Sequence, residues 1–217
     1  MSTQQTIRFW DRIAERYARR PVADEAAYQE KLRVTRQYLR PDMRVLEFGC
    51  GTGSTAIAHA PHVKHILATD ISPKMIEIAQ EKAAAEAISN VEFASTSIEG
   101  LDIEDESMDA VLALSILHLI EDRRAVLAKV NRILKPGGIL VSSTACIGDS
   151  MKFFKFIAPI GRFLRLIPPV SVFTTADLEQ DLADAGFTVD HRWIPGKGKA
   201  VFMVSIKGGS DDHTSHT

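Results

Sequence analysis

The stretch VLEFGCGTGSTAIA, from Val45 to Ala58, decides the fold class of this 217-residue chain. An apolar run typical of a short buried strand leads into three glycines at alternate positions, Gly49, Gly51 and Gly53, and a run with helical character follows. Glycine tolerates positive φ angles and lets a ligand approach the main chain closely. The stretch predicts a strand, a turn and a helix, with either a ligand site at the turn or a tight turn that binds nothing.

The remaining chain repeats this alternation of strand and helix. We predict strands at RVLEF, HILATD, VEFA, DAVLALS and ILVSST, separated by helical patterns, and we expect KPGG (135–138) to end the helix before the fifth strand. Alternation of this kind indicates a parallel sheet with helices on both faces. Near the end, FTVDHRWI and AVFMVSIKG are joined by PGKGK, which is too short to hold a crossover helix, so they predict a hairpin. The expected fold is α/β, a seven-stranded, mostly parallel sheet with one antiparallel strand.

The composition narrows the class of protein. The formal net charge is −2, so no overall positive field indicates a nucleic-acid partner. The only two cysteines, Cys50 and Cys146, suggest no disulfide framework. The first residues lack the apolar core of a signal peptide, and no apolar stretch is long enough to span a bilayer. We therefore expect a cytoplasmic protein.

Two acids flank the glycines and indicate which nucleotide would bind. Asp70 ends the second predicted strand, where a carboxylate can accept hydrogen bonds from both hydroxyls of a ribose. Glu47 directly precedes the turn, where it would repel a pyrophosphate but attract a cationic amino-acid group. The spacing also departs from the dinucleotide pattern, because Ser54 occupies the position of its third glycine. S-adenosylmethionine, which carries a sulfonium and an ammonium group, suits these residues better than a dinucleotide.

At these motifs the chain resembles the class I S-adenosylmethionine-dependent methyltransferases, especially the small-molecule branch that includes the quinone methyltransferases. The segments that carry the resemblance are VLEFGCGTG, ATDISPKMIEIA, LKPGGIL and the terminal hairpin, and together they span roughly residues 39–208. The resemblance implies a Rossmann-like fold, S-adenosylmethionine as cofactor with S-adenosylhomocysteine as product, and a small-molecule methyl acceptor. A protein that binds the cofactor without catalysis and a nicotinamide-dependent oxidoreductase remain as alternatives.

The resemblance also assigns site residues. Asp70 is expected to bind the ribose of the cofactor. The glycine turn and the acid before it are expected to bind its methionine end, through Glu47, Gly49, Cys50, Gly51 and Gly53. Adenine is expected to lie among Ile71, Met75, Ser97 and Ile98, and the acceptor beyond Leu114 and Ser115. Ser97 stands where the family usually has an aspartate, and its hydroxyl is a weaker acceptor than a carboxylate. Tyr17 and Tyr28 are candidates for lining a cover over the cofactor.

Histidines provide the remaining candidates. His118 follows the fourth predicted strand, near the expected acceptor, and is either a general base or a structural loop residue. His59, His62 and His65 are spaced by three, but Pro61 prevents them from sharing one helix face. We interpret these three as a solvated helix end and predict no metal site.

The expected organisation has three parts. Residues 1–40 form an N-terminal helical cover, residues 41–208 form the methyltransferase domain, and residues 209–217 form a disordered tail. Within the domain, residues 147–173 form a cap, and its segment 151–173 is rich in apolar and basic side chains. This segment is either a purely structural cap or one that also contacts a lipophilic or anionic acceptor, or the headgroup layer of a membrane.

Overall fold

A computed structural model describes residues 3–150 and 170–209 of the chain. Most of the predicted cap (151–169) and most of the predicted tail (210–217) therefore lie outside the described residues. The helices are α1 (Thr3–Ala18), α2 (Glu25–Tyr38), α3 (Ser54–His59), α4 (Pro73–Ala85), α5 (Arg123–Ile133), α6 (Ile147–Ser150) and α7 (Thr175–Asp184). The strands are β1 (Arg44–Phe48), β2 (His65–Asp70), β3 (Val91–Ser95), β4 (Met108–Leu114), β5 (Leu134–Thr144), β6 (Phe187–Trp193) and β7 (Val201–Lys207).

The seven strands form one sheet in the order β3-β2-β1-β4-β5-β7-β6. Neighbours among β1 to β5 pair in parallel, while β7 runs antiparallel to both β5 and β6. The predicted fold class is confirmed, including the single reversed strand. From β1 the chain first proceeds outward to β2 and β3 and then returns to β4 on the other side. This reversal opens a crevice above the carboxyl ends of β1 and β4, where ligands bind in open α/β sheets.

Local sequence signals account for most element boundaries. The predicted bounds of the first two strands coincide with β1 and β2. Ser72 accepts a hydrogen bond from the backbone N–H of Met75 and so caps α4, while Thr174 caps α7 in a reciprocal capping box with Asp177. The prediction that KPGG separates helix from strand was wrong, because these residues belong to β5. A positive φ at Gly137 and a register shift opposite Met108 let the strand bulge and continue.

The sheet is buried on both faces by helices. Alternate residues of β1 point to opposite sides, so that Val45 packs in the cluster with Val34 of α2, whereas Leu46 packs in the cluster with Leu127 of α5. Burial on both faces explains the nearly continuous apolar character of β1 and β4. Among the described helices, none has the length and apolar character needed to cross a bilayer.

His59 corrects the interpretation of the histidine triplet as a solvated helix end. It is the last residue of α3 and 0% exposed, and neither ring nitrogen has a hydrogen-bond partner in residues 3–150 and 170–209. Only His62 of the three is fully at the surface. Burial first, and then the charges of Arg36 and His62, lower the pKa of His59 to about 3. The ring is therefore neutral in the folded protein at every pH near neutrality.

This burial predicts a dependence of stability on pH. The unfolded chain binds a proton at His59 below its ordinary pKa of 6.5, whereas the folded chain does not. The contribution of neutral His59 to the free energy of unfolding is thus complete above pH 6.5. It is lost as the pH falls toward 3, by at most about 1.4 kcal/mol per pH unit. Denaturant unfolding between pH 4.5 and 7 should show this slope in the wild type and a shallower one in His59→Gln. The exposed His62→Gln is the matched control; an equal slope in His59→Gln would contradict the prediction.

Candidate functional site

The three glycines after β1 all adopt positive φ angles, 67° at Gly49, 53° at Gly51 and 74° at Gly53. Two of them are also required by packing. A Cβ atom on Gly49 would lie 2.6 Å from the side chain of Ile116, and one on Gly53 would lie 2.8 Å from the Cβ of Ala79. A Cβ on Gly51 would meet nothing closer than Tyr17 Cε1 at 3.8 Å. Gly51 is therefore the glycine of the turn at which an added Cβ would make only an ordinary van der Waals contact, with Tyr17.

Glu47 lies near the carboxyl end of β1 and is only 3% exposed. Its Oε2 atom is buried without a hydrogen-bond partner among the described residues. Burial, with a smaller contribution from the charge of Asp70, raises the pKa of Glu47 to about 8. The same surroundings raise the pKa of the Cys50 thiol well above its ordinary value. A buried acid with an unpartnered oxygen is costly to fold, and a cation would stabilise it.

Asp70 ends β2 and holds the neighbouring loops in place. Its Oδ2 accepts a hydrogen bond from the backbone N–H of Gly51 at 3.0 Å, and its Oδ1 accepts one from the backbone N–H of Ser72 at 2.9 Å. Burial raises its pKa most, Asp11 adds to that effect, and the two amides oppose it. A carboxylate has about four acceptor positions, so each oxygen keeps capacity for a further donor.

Helix α1 packs against α4 beside this loop. Asp11 Oδ1 accepts hydrogen bonds from Ser72 Oγ at 2.6 Å and from the backbone N–H of Lys74 at 3.3 Å. Tyr17, one turn and a half further along, is 47% exposed, yet partial burial and the charge of Asp70 raise the pKa of its phenol. Tyr17 also lies next to Gly51 of the turn, and its role in lining a cover over the cofactor stays a prediction. Sequence reasoning missed Asp11, since an acid on an amphipathic helix carries no distinctive signal.

Helix α2 presents two polar side chains to the sheet. Tyr28 hydrogen-bonds the side chain of Thr55, and burial, then the nearby Glu47, raise its pKa. One turn later, the ammonium group of Lys31 donates a hydrogen bond to Ser143 Oγ at 2.8 Å, which connects α2 to the end of β5. Lys31 was not predicted from the sequence. The available signal was its place three residues after Tyr28, on the buried side of the helix.

The ends of β4 and β5 meet beside Lys31. Leu114 is half-buried, and Ser115, exposed with a positive φ of 60°, donates its backbone N–H to the carbonyl of Ser143 at 2.7 Å. His118 follows in a short 3₁₀ turn (Leu117–Leu119); its Nδ1 is buried without a hydrogen-bond partner among the described residues. Burial lowers the pKa of His118, so its ring favours the neutral form that a general base requires.

The residues predicted to surround adenine differ in how accessible they are. Ile71 and Ser97 are half-buried, whereas Met75 and Ile98 are buried. The side chain of Ile98 belongs to the core cluster on the α5 side of the sheet, which leaves its backbone as the part available to a ligand. Ser97 Oγ accepts a hydrogen bond from the backbone N–H of Gly100 at 3.3 Å, so its hydroxyl is partly engaged. The role of these four residues stays a prediction.

Comparison with known proteins now decides the family. Residues 45–138, which run from β1 to the start of β5, match the sequence profile of a family described as a methyltransferase domain. This part of the chain is similar to a methyltransferase domain. The resemblance stated from the glycine turn and its acids is thereby confirmed.

Curated relatives that match part of this chain are named as methyltransferases. The chain is 33% identical over 99 residues to the uncharacterized methyltransferase YcgJ of Bacillus subtilis, a match of 46% of this chain and 39% of that protein. It is 31% identical over 114 residues to a ubiquinone biosynthesis O-methyltransferase of Methylocella silvestris, 52% of this chain and 43% of that protein. The chain thus spans about two fifths of the length of these curated relatives.

Solved structures share the fold at lower sequence identity. The crystal structure of the [4+2]-cyclase SpnF superposes with a TM-score of 0.78 at 17% identity, covering 96% of this chain and 98% of that one. The crystal structure of B. subtilis YcgJ superposes with a TM-score of 0.69 at 18% identity, covering 83% and 99%. One of these neighbours is described as a cyclase, so the shared fold does not determine which reaction this chain catalyses.

The contrast between two glycines of the methyltransferase domain is testable. Gly51→Ala and Gly53→Ala each place an alanine at a positive φ, which costs about 1–2 kcal/mol. Only Gly53→Ala also forces a Cβ against Ala79 and Phe93, an overpacking that adds about 1–3 kcal/mol. Denaturant unfolding should therefore find Gly53→Ala clearly less stable than Gly51→Ala. Equal free energies of unfolding for the two variants would show that the packing around Gly53 accommodates a Cβ atom.

Proposed function

We propose that this chain transfers a methyl group from S-adenosylmethionine to a small-molecule acceptor. The observation that carries the proposal is Glu47, a buried carboxyl group with an unpartnered Oε2 directly before the glycine turn of a methyltransferase domain. A buried acid at this point disfavours a pyrophosphate and favours a ligand with a cationic end. This distinguishes the proposed cofactor from the nicotinamide dinucleotide of the alternative oxidoreductase.

The residues at the site fit the cofactor at both ends. Gly51 lacks a side chain where a ligand would approach the turn, and Glu47 supplies the anion for an ammonium group. Asp70, already oriented by backbone amides, keeps acceptor positions for ribose hydroxyls. When bound there, the cofactor supplies an electrophilic methyl group on a sulfonium centre.

The protein itself contributes alignment, exclusion of water and proton acceptance. The predicted cover, residues 1–40, contains α1 and α2, and its Tyr17 and Tyr28 flank the glycine turn and α3. A cover of this kind shields the reacting groups from water and orders the acceptor. His118, neutral and close to the end of β4, would accept a proton from an acceptor hydroxyl or thiol. A small-molecule acceptor agrees with the quinone substrates that the names of several relatives indicate.

Binding and turnover assays test the proposal. Calorimetric titration should detect S-adenosylmethionine and S-adenosylhomocysteine binding and no comparable binding of NAD⁺. Incubation with a panel of lipophilic and polar acceptors should convert the cofactor to S-adenosylhomocysteine. Binding without turnover would favour a cofactor-binding protein, and preference for NAD⁺ would favour the oxidoreductase.

The raised pKa of Glu47 predicts proton release on cofactor binding. At pH 7 the carboxyl group of the free protein is mostly protonated, because its pKa is about 8. A cationic ligand favours the ionised form, so binding should release a proton and tighten as the pH rises from 6.5 to 8. Titrations at pH 7 in buffers of different ionisation enthalpy measure this release. Glu47→Gln should bind about ten-fold more weakly at pH 8 and release no proton at this position; release equal to that of the wild type would exclude Glu47.

We further propose that the segment 151–173 contacts a lipophilic acceptor or the membrane headgroup layer, within a cytoplasmic protein. The support comes from the sequence, where four basic side chains, Lys152, Lys155, Arg162 and Arg165, alternate with apolar ones and no acid occurs between Asp149 and Asp177. Each basic residue near an anionic surface contributes about 1 kcal/mol.

Cosedimentation with vesicles tests this contact. We expect binding to anionic vesicles that weakens at high salt, and little binding to neutral vesicles. Replacing the four basic residues together by glutamine should abolish the salt-sensitive part. Absence of vesicle binding, together with turnover of polar acceptors alone, would leave the segment as a structural cap.

A further inference from the structure

Lys31 occupies an unusual place for a lysine. It lies on α2, and its stem runs across the sheet to place the ammonium group 2.8 Å from Ser143 Oγ. Ser143 is itself buried, and its carbonyl accepts the backbone N–H of Ser115. The ammonium group is therefore fixed where the carboxyl ends of β4 and β5 meet.

In the described part of the chain, no carboxylate lies in salt-bridge contact with this ammonium group. Among residues 3–150 and 170–209, Lys31 forms no ion pair. The acid that acts on it electrostatically, Asp24, is engaged elsewhere: one oxygen caps α2 at the N–H of Ala27, and the other lies 3.7 Å from Lys199 Nζ. Burial accordingly lowers the pKa of Lys31.

A purely structural role explains this arrangement poorly. A lysine that only fastens α2 to β5 through a neutral serine loses hydration of its charge and gains a single hydrogen bond. An uncharged side chain would hold the same contact without that cost. A cation kept at partial burial without a counter-charge is instead suited to receive one from a ligand.

The position of Lys31 relative to Glu47 indicates which ligand this is. Three residues earlier on the same helix, Tyr28 lies close enough to Glu47 to be affected by its charge, whereas Lys31 reaches two strands further, to β5. The chain therefore places an acid near the end of β1 and a cation at the end of β5, on either side of β4. An acid suits the cationic cofactor and a cation suits a different, anionic molecule.

We propose that Lys31 is an acceptor-binding residue, and that the methyl acceptor carries an anionic oxygen, as a carboxylate or an ionised acidic hydroxyl, which the Lys31 ammonium group holds beside Ser143. This inference rests on the proposed methyl transfer, because it assigns the end of β5 to the acceptor. An acceptor held as an anion is also already nucleophilic where its charged oxygen reacts, so it does not depend on a general base.

The test uses matched acids and amides as probes. Benzoate with benzamide, and octanoate with octanamide, have similar shapes within each pair and differ in charge. Their dissociation constants are measured by ligand-observed NMR on the full chain loaded with S-adenosylhomocysteine, whose own affinity is measured first by calorimetry. The variants are Lys31→Met, Lys31→Arg and, as a matched control, Lys64→Met, which removes an exposed lysine at the opposite, amino-terminal edge of the sheet.

We expect at least one acid to bind the wild type about ten-fold more tightly than its amide. Lys31→Met should lose this preference and keep the affinity for S-adenosylhomocysteine within about two-fold, while Lys31→Arg and Lys64→Met should retain the preference. A structural role alone would change the melting temperature of Lys31→Met without a selective loss of acid binding.

Two results separate failure of this inference from failure of the proposed function. If S-adenosylhomocysteine binds but no acid is preferred over its amide, or if Lys31→Met keeps the preference, the role of Lys31 is overturned and methyl transfer stands. If S-adenosylhomocysteine does not bind the wild type, the proposed function fails and the assignment of Lys31 fails with it.

Discussion

Burial of two neighbouring acids is the constraint on which this site depends. Glu47 lies near the end of β1 and Asp70 ends the adjacent parallel strand β2. Burial is the main cause that raises the pKa of each carboxyl group, and the charge of Asp70 adds to the effect on Glu47. The protein limits the cost at Asp70 by donating two backbone amides to it, one from the glycine turn itself. No donor from the described residues reaches Oε2 of Glu47. Asp70 therefore holds the glycine turn through a hydrogen bond, whereas Glu47 keeps a carboxyl oxygen for a cationic ligand.

The sheet order converts this local arrangement into a site with two ends. Because β1 and β4 are neighbours with their connections leaving in opposite directions, the crevice above them is bordered by β2 on one side and by β5 on the other. Helix α2 extends over both borders, since Tyr28 contacts α3 and Lys31 contacts β5. One helix thus sets the distance between the two ends, and a rotation of α2 would affect both together.

The sequence predicted the sheet, its reversed strand and the glycine turn because these features depend on local patterns. Apolar runs, caps such as Ser72 and the short PGKGK link each restrict the backbone within a few residues. The misplaced start of β5 has a local cause too, since a proline and two glycines normally end an element, and only pairing with Met108 across a bulge retains them in the strand.

Side chains whose partners are distant along the chain escaped prediction. Lys31 and Ser143 are separated by 112 residues, and Asp11 and Ser72 by 61, so no spacing rule connects them. His59 was misinterpreted because its burial depends on how α3 packs against the sheet, which a run of polar letters does not reveal. Candidate cofactor residues that follow strands were easier to propose, because parallel strands carry their ends to one edge.

The hydrogen bonds of Asp11 connect two segments that are far apart in the sequence, α1 and the start of α4. Its single carboxylate oxygen receives both the hydroxyl of Ser72 and the N–H of Lys74, and Ser72 also donates its own N–H to Asp70. If α1 moves away, the hydroxyl of Ser72 loses its acceptor, and Ser72 is a residue whose N–H orients Asp70. Because such coupling is reciprocal, a ligand that immobilises Asp70 also strengthens the packing of α1 against α4. A substitution at position 11 or 72 that removes the donor or the acceptor therefore weakens a contact between the N-terminal helix and the loop that carries the ribose-binding candidate.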